Sequence, residues 1–203
     1  MKERYGPATA LIVVDVQNDF ADPKGSLYVA GAADVVKMAS SEARLAFEQG
    51  AFVVYSQDWH PASTPHFQKD GGIWPVHCVA DSWGAAFHPD LLVVGPSVYK
   101  GANGEDGYSA FTMRDPQTGE TKPTELEAML RERGITKAVV VGLATDYCVS
   151  ATAIDAAHLK FDTEVLQDAI ASVDLAQGDG DKAKAAMAAA GCVLGYCFGT
   201  MPS

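Results

Sequence analysis

The sequence is poor in cysteine and in positive charge, and it has no long apolar run. It holds 4 Cys in 203 residues, far too few for a disulfide scaffold and with no C-x-x-C pair for redox work. Lys and Arg number 15 against 26 Asp and Glu, a net charge of −11. A chain that acidic repels phosphate backbones, which argues against nucleic acid or an anionic membrane as partner. No apolar run approaches about 18 residues, so no transmembrane helix is expected. The first ten residues carry charges without a signal-peptide core, and the apolar run after them stops at Asp15. A cytoplasmic, reducing location is the expectation. Repeats, low-complexity tracts and linkers are also missing, so residues 1–203 read as one domain. Gly101-Ala102-Asn103-Gly104 matches no phosphate loop.

Short runs rich in Val and Ile are present instead. They lie at Ala10 to Val14, Ala51 to Tyr55, Leu91 to Val94 or Ser97 to Tyr99, Ala138 to Val141, Thr163 to Leu166 and Val193 to Tyr196. Such runs suit strands buried on both faces of a parallel sheet. Helical patterns alternate with them at Asp34 to Gln49, Pro123 to Arg133, Thr145 to His158 and Asp181 to Ala190. Pro opens the second of these and Gly134 follows it, the usual asymmetry of helix ends. The alternation predicts an α/β fold, a three-layer α/β/α arrangement around a mainly parallel sheet, with ligands at the carboxyl ends of the strands. Gln57 to Pro89 and Gly101 to Lys122 interrupt it as long loops of the kind that carry function.

Candidate chemistry collects at the strand ends. Gly142-Leu143-Ala144-Thr145-Asp146-Tyr147-Cys148-Val149 joins a strand to a helix. Thr145 is a candidate N-cap, which puts Cys148 in the first helical turn, where free N–H groups and the helix dipole favour a thiolate. The competing reading is a small buried Cys that fills a helix–sheet contact. Asp15 ends the first strand, where a half-buried acid suits proton transfer or simply serves as a loop acid. Lys100 ends another strand, either balancing buried anions or standing in solvent. Asp58, His60, His66 and His77 fall within 20 residues; one carboxylate and several imidazoles suit Zn²⁺, Fe²⁺ or Mn²⁺, unless they are loop histidines at the surface. Cys78, Cys192 and Cys197 read as packing residues.

Five pieces occur in one order along the chain: Val13-Val14-Asp15-Val16-Gln17-Asn18-Asp19-Phe20, Asp58-Trp59-His60-Pro61, Trp74-Pro75-Val76-His77-Cys78, Lys100-Gly101 and Gly142 to Val149. Together they resemble the isochorismatase-like cysteine hydrolases and, within these, the nicotinamidases. The resemblance implies an isochorismatase-like, Rossmann-like topology and a catalytic triad of Asp15, Lys100 and Cys148. It implies one divalent metal ion (Zn, Fe or Mn) on Asp58, His60 and His77, with His66 as a fourth ligand. It implies a cis peptide at Leu143–Ala144 and an oxyanion hole from the Ala144 and Cys148 amides. Phe20 and Trp74 would wall the substrate pocket, with Tyr108 placed by its distance from Lys100. The activity implied is hydrolysis of nicotinamide to nicotinate and ammonia through a thioester, a step of NAD salvage. The runner-up is a related amidase acting on an N-carbamoyl or ureido compound. A non-catalytic metal- or ligand-binding relative and a thiol redox protein are the readings from other classes. Homo-oligomers are left open.

Overall fold

A strand that is apolar at every position needs cover on both faces. β1 (Thr9–Val14) is such a strand, buried along its whole length. The computed structural model describes residues 4–197. After β1 come α1 (Asn18–Ala21), α2 (Ala32–Glu48), β2 (Phe52–Asp58), β3 (Ser97–Lys100), β4 (Thr112–Arg114), β5 (Thr121–Pro123) and α3 (Leu126–Glu132). Then follow β6 (Lys137–Leu143), α4 (Ser150–His158), β7 (Asp162–Ala171), α5 (Asp179–Ala189) and β8 (Val193–Gly195).

Among the described residues, six strands form one sheet in the order β3-β2-β1-β6-β7-β8, and every pairing in it is parallel. Successive side chains of β1 serve opposite faces, as strand geometry requires. Leu11 and Val13 join the core beneath α2, with Val35, Val36, Ala39 and Ala43. Ala10, Ile12 and Val14 join the opposite core, with Leu126 and Leu130 of α3, Ala153 and Ala156 of α4 and Met187 of α5. Each buried Leu or Val contributes about 1.5–3 kcal/mol, and the sheet is the middle of the three layers.

The strand order reverses between β1 and β6, since β2 and β3 extend one way and β7 and β8 the other. Open α/β sheets bind ligands in the crevice at such a switch point. The backbone there is tight. Gly142 has φ +120° and lies so close to β1 that an added Cβ would stand 2.1 Å from the Val14 carbonyl oxygen.

Several sequence expectations shift. Of the two runs offered for the third strand, Ser97 to Lys100 forms it. Pro123 does not open α3; it pairs with Thr112 in a short antiparallel hairpin, so the second long loop carries β4 and β5. Thr145 is no N-cap. The chain leaves β6 into a wider π-helical turn, Thr145–Val149, which Ala144 precedes. The Ala144 carbonyl collects the Tyr147 and Val149 N–H groups, and the Thr145 hydroxyl is buried without a partner.

Gly142→Ala adds a methyl group against the β1 backbone at a φ unsuited to side chains. It should cost roughly 3 kcal/mol. Urea denaturation of the variant checks this, and wild-type stability would contradict the close approach.

Candidate active site

Three parallel strands deliver three charged side chains to one point. Asp58 and Lys100 are partners in the β2–β3 register, so they emerge side by side on one face. Asp15 follows the last residue of β1, with its N–H on the Ser56 carbonyl. The Lys100 ammonium donates to Asp15 Oδ2 at 2.6 Å and to Cys148 Sγ at 3.3 Å, with the Tyr108 carbonyl at 3.1 Å. It also pairs with Asp58 Oδ1 at 2.9 Å. Lys100 is 1 % exposed and Asp15 fully buried, so neither is the solvated strand-end charge or loop acid that the sequence also allowed. Cys148 is buried at 6 % exposure in the turn after β6. The Leu143–Ala144 bond is cis, where the resemblance put it.

The electrostatics follow from this burial. Burial pushes the Asp15 carboxyl up, against the pull of Lys100. Burial also works to raise Asp58, but Lys100, His60 and His77 outweigh it and hold that carboxyl well below its usual range. For Lys100, burial favours loss of the proton, yet Asp15, Asp58 and Cys148 keep the ammonium charged well beyond its ordinary range. The Cys148 thiol is pushed up by burial and by the Asp15 and Asp58 charges, with Lys100 opposing. Burial thus opposes the thiolate that position at a helix start would favour.

Beside this cluster stand three imidazoles. Ring nitrogens of His60, His66 and His77 lie within 4.8 Å of one another, all buried. Asp58 Oδ2 is 3.8 Å from Nε2 of both His60 and His77. Both ring nitrogens of His60 are buried without a hydrogen-bond partner, an arrangement that costs free energy unless something takes a lone pair. His77 Nδ1 donates to the Pro75 carbonyl at 2.8 Å, which leaves Nε2 as the free donor atom. Burial lowers the His77 pKa to about 4, the neutral form that ligates metals. One carboxylate and three imidazoles fit a borderline divalent cation.

Both clusters open onto one pocket. Its lining includes Cys148, Ala144, Asp58, His66 and His77 together with Phe20, Trp74 and Tyr108. Every site residue proposed from sequence thus lies at this pocket or directly behind it. The Trp74 indole donates to the Tyr108 hydroxyl at 3.1 Å, and Tyr147 stands edge-on to Trp74 with centroids 4.9 Å apart. Cys78, Cys192 and Cys197 are buried in the two cores.

Sequence reasoning missed the supports. The Ser56 hydroxyl donates to Asp15 Oδ1 at 2.7 Å. The Gln17 amide stands in for a missing strand at the end of β2, donating to the Asp58 carbonyl and accepting its N–H. Tyr147, Leu27, Val29, Leu143 and Val173 complete the pocket wall. The position of Ser56, two residues before Asp58 on one strand, was the available signal for the first.

The chain belongs to the isochorismatase family; the model of the isochorismatase domain matches residues 9–195. The nicotinamidase of Escherichia coli K12 is 35 % identical over 206 residues, covering 93 % of this chain and 94 % of that protein. The pyrazinamidase of Pyrococcus horikoshii, solved in complex with zinc, superposes with a TM-score of 0.83 at 34 % identity, over 94 % of this chain and 99 % of that one. The PnC1 protein of L. infantum, solved in complex with nicotinate, gives 0.85 at 33 % identity, over 97 % and 96 %. Among such relatives, the chain is a hydrolase acting on an amide bond. Among its described residues, no helix is long and apolar enough to cross a membrane.

Lys100→Met removes the ammonium that lies between two buried carboxylates, Asp15 and Asp58. It should destabilise the fold by about 3–5 kcal/mol near neutral pH. Protonated carboxyls need no counter-charge, so the loss should shrink as pH falls through the carboxylate range. Denaturant midpoints of wild type and variant at two pH values check both statements.

Proposed function

We propose that the protein hydrolyses nicotinamide to nicotinate and ammonia, with Cys148 as nucleophile. One observation carries this reading: the buried thiol and the imidazole cluster face the same pocket, between aromatic walls. A pyridine carboxamide offers one group to each. Its flat ring suits the space between Phe20 and Trp74. A divalent ion on Asp58, His60, His66 and His77 would supply a Lewis acid that orients the substrate through its ring nitrogen.

The chain's own residues then carry the chemistry. Asp15 takes the Cys148 proton as sulfur bonds to the carboxamide carbon. Its raised pKa matches that task, since a carboxylate with a pKa nearer neutrality is a better base. Lys100 holds Asp15 in place and balances the developing thiolate. The Ala144 and Cys148 amides receive the carbonyl oxygen as it becomes an oxyanion, about 3–4 kcal/mol per donor in comparable sites. The C–N bond breaks as Asp15 returns the proton to the leaving ammonia. Water, deprotonated by Asp15, then cleaves the thioester to nicotinate and restores the thiol. The substrate is neutral, so the net charge of −11 does not oppose its entry. This assigns the chain to the NAD salvage step and to the cytoplasm. The N-carbamoyl or ureido alternative keeps the triad but leaves the imidazole cluster without a task.

Ammonia release from nicotinamide, beside N-carbamoyl and ureido compounds, tests the proposal. Metal-loaded wild type should turn over nicotinamide in preference to the others. Cys148→Ala should lose at least about a thousand-fold, and chelated protein should regain activity on reloading. Wild-type activity in Cys148→Ala would overturn the nucleophile, and preference for a carbamoyl compound would overturn the substrate.

A further inference from the structure

His66 differs from its two companions in what stands behind it. Its Nδ1 lies 2.9 Å from Asp106 Oδ1. The same oxygen accepts the Gly107 N–H at 2.9 Å, and Oδ2 accepts from the Arg114 guanidinium at 2.7 Å. The Asp106 backbone is tied to β4 in both directions: its N–H reaches the Arg114 carbonyl at 2.7 Å, and the Arg114 N–H reaches its carbonyl at 2.5 Å. The carboxylate is thus fixed on both oxygens and on both sides of its own peptide. It cannot swing away from His66 without breaking that bridge.

We propose that Asp106 is the positioning residue that makes His66 a metal ligand, resting on the metal reading given above. A carboxylate can only accept, so Nδ1 of His66 must carry the proton and Nε2 is left with its lone pair. Free imidazole in water favours the opposite tautomer, with the proton on Nε2. The carboxylate therefore selects the form with a lone pair on the nitrogen that a ligand needs. The ring is also stacked on His60, with centroids 4.8 Å apart and planes at 23°, so its rotation is restricted as well as its tautomer. Such partners of ligating histidines fix ring orientation and raise basicity. The three histidines then have different surroundings: the Pro75 carbonyl behind His77, Asp106 behind His66, and ring packing with the Asp58 carboxylate at 3.8 Å for His60. Gly101 lies against His60, where an added Cβ would come within 2.6 Å of Nδ1.

Two readouts test this without using turnover. The first is the long-range ¹H–¹⁵N spectrum of the histidine rings in metal-free protein. Wild-type His66 should show the proton on Nδ1, and Asp106→Ala should move it toward Nε2. The second is the dissociation constant of Zn²⁺ measured against a competing chelator. Asp106→Ala should weaken it about 10–100-fold. The same change made in a His66→Ala background should have no further effect, because the ring it serves is gone. Arg114→Ala leaves the carboxylate on His66 and should move the constant less than about five-fold. Asp106→Asn keeps an acceptor for Nδ1 and should fall between wild type and Asp106→Ala, which serves if the alanine variant folds poorly. An unchanged tautomer with an unchanged Zn²⁺ constant overturns the proposal. So does an equal loss in the His66→Ala background, which would mean that Asp106 only braces the hairpin. Wild type that binds no Zn²⁺ would instead overturn the metal reading itself.

Discussion

One buried ammonium organises this molecule's site. Lys100 has four partners within 3.3 Å: two carboxylates, a thiol and a backbone carbonyl. Burying a charge this deeply is costly unless every donor is used; here the three N–H groups reach Asp15, the Tyr108 carbonyl and Cys148, and Asp58 adds an ion pair. The sheet makes that possible. β1, β2 and β3 end side by side, and the register sets Asp58 opposite Lys100. A one-residue slip in β3 would turn Lys100 to the other face and take its ammonium away from both Asp15 and Asp58.

Asp58 joins the two halves of the site. One of its oxygens faces Lys100 and the other faces His60 and His77. The segment that begins at Lys100 has a similar double role. Within nine residues it presents the cation, the Asp106 carboxylate behind His66 and the Tyr108 wall. A shift in that segment would therefore be felt by the proton-transfer groups, the imidazole cluster and the pocket together. This is why residues so far apart in sequence form one site: they share partners and do not merely stand near one another.

Much of this was legible in the sequence, for physical reasons that differ by element. The central strands announce themselves because strands covered on both faces carry Val and Ile without interruption. Asp15, Asp58 and Lys100 stand out because a charge at the end of a buried apolar run is costly unless something pairs with it. The π turn at Thr145–Val149 was not legible, since Ala-Thr-Asp-Tyr-Cys also suits an ordinary capped helix. The hairpin of β4 and β5 is too short and too polar to show a two-residue period. Pro123 looked like a helix start because proline is equally at home there and at a strand edge. Ser56 left only its two-residue offset from Asp58 as a signal, and Gln17 and Asp106 were invisible, because their roles depend on neighbours from other strands and loops. The Cys148 thiol is the instructive case: local position argues for a thiolate, and burial, which only the fold reveals, reverses the direction.

The central claim is that the thiol beside Lys100 is the atom that meets the substrate carbonyl. Rapid acid quench of enzyme mixed with excess nicotinamide, followed by peptide mass spectrometry, addresses it directly. The account predicts a nicotinoyl adduct on the peptide that contains Cys148 and on none containing Cys78, Cys192 or Cys197. Steady ammonia release with no acyl group on Cys148 at any quench time, or with the acyl group on another cysteine, would contradict it.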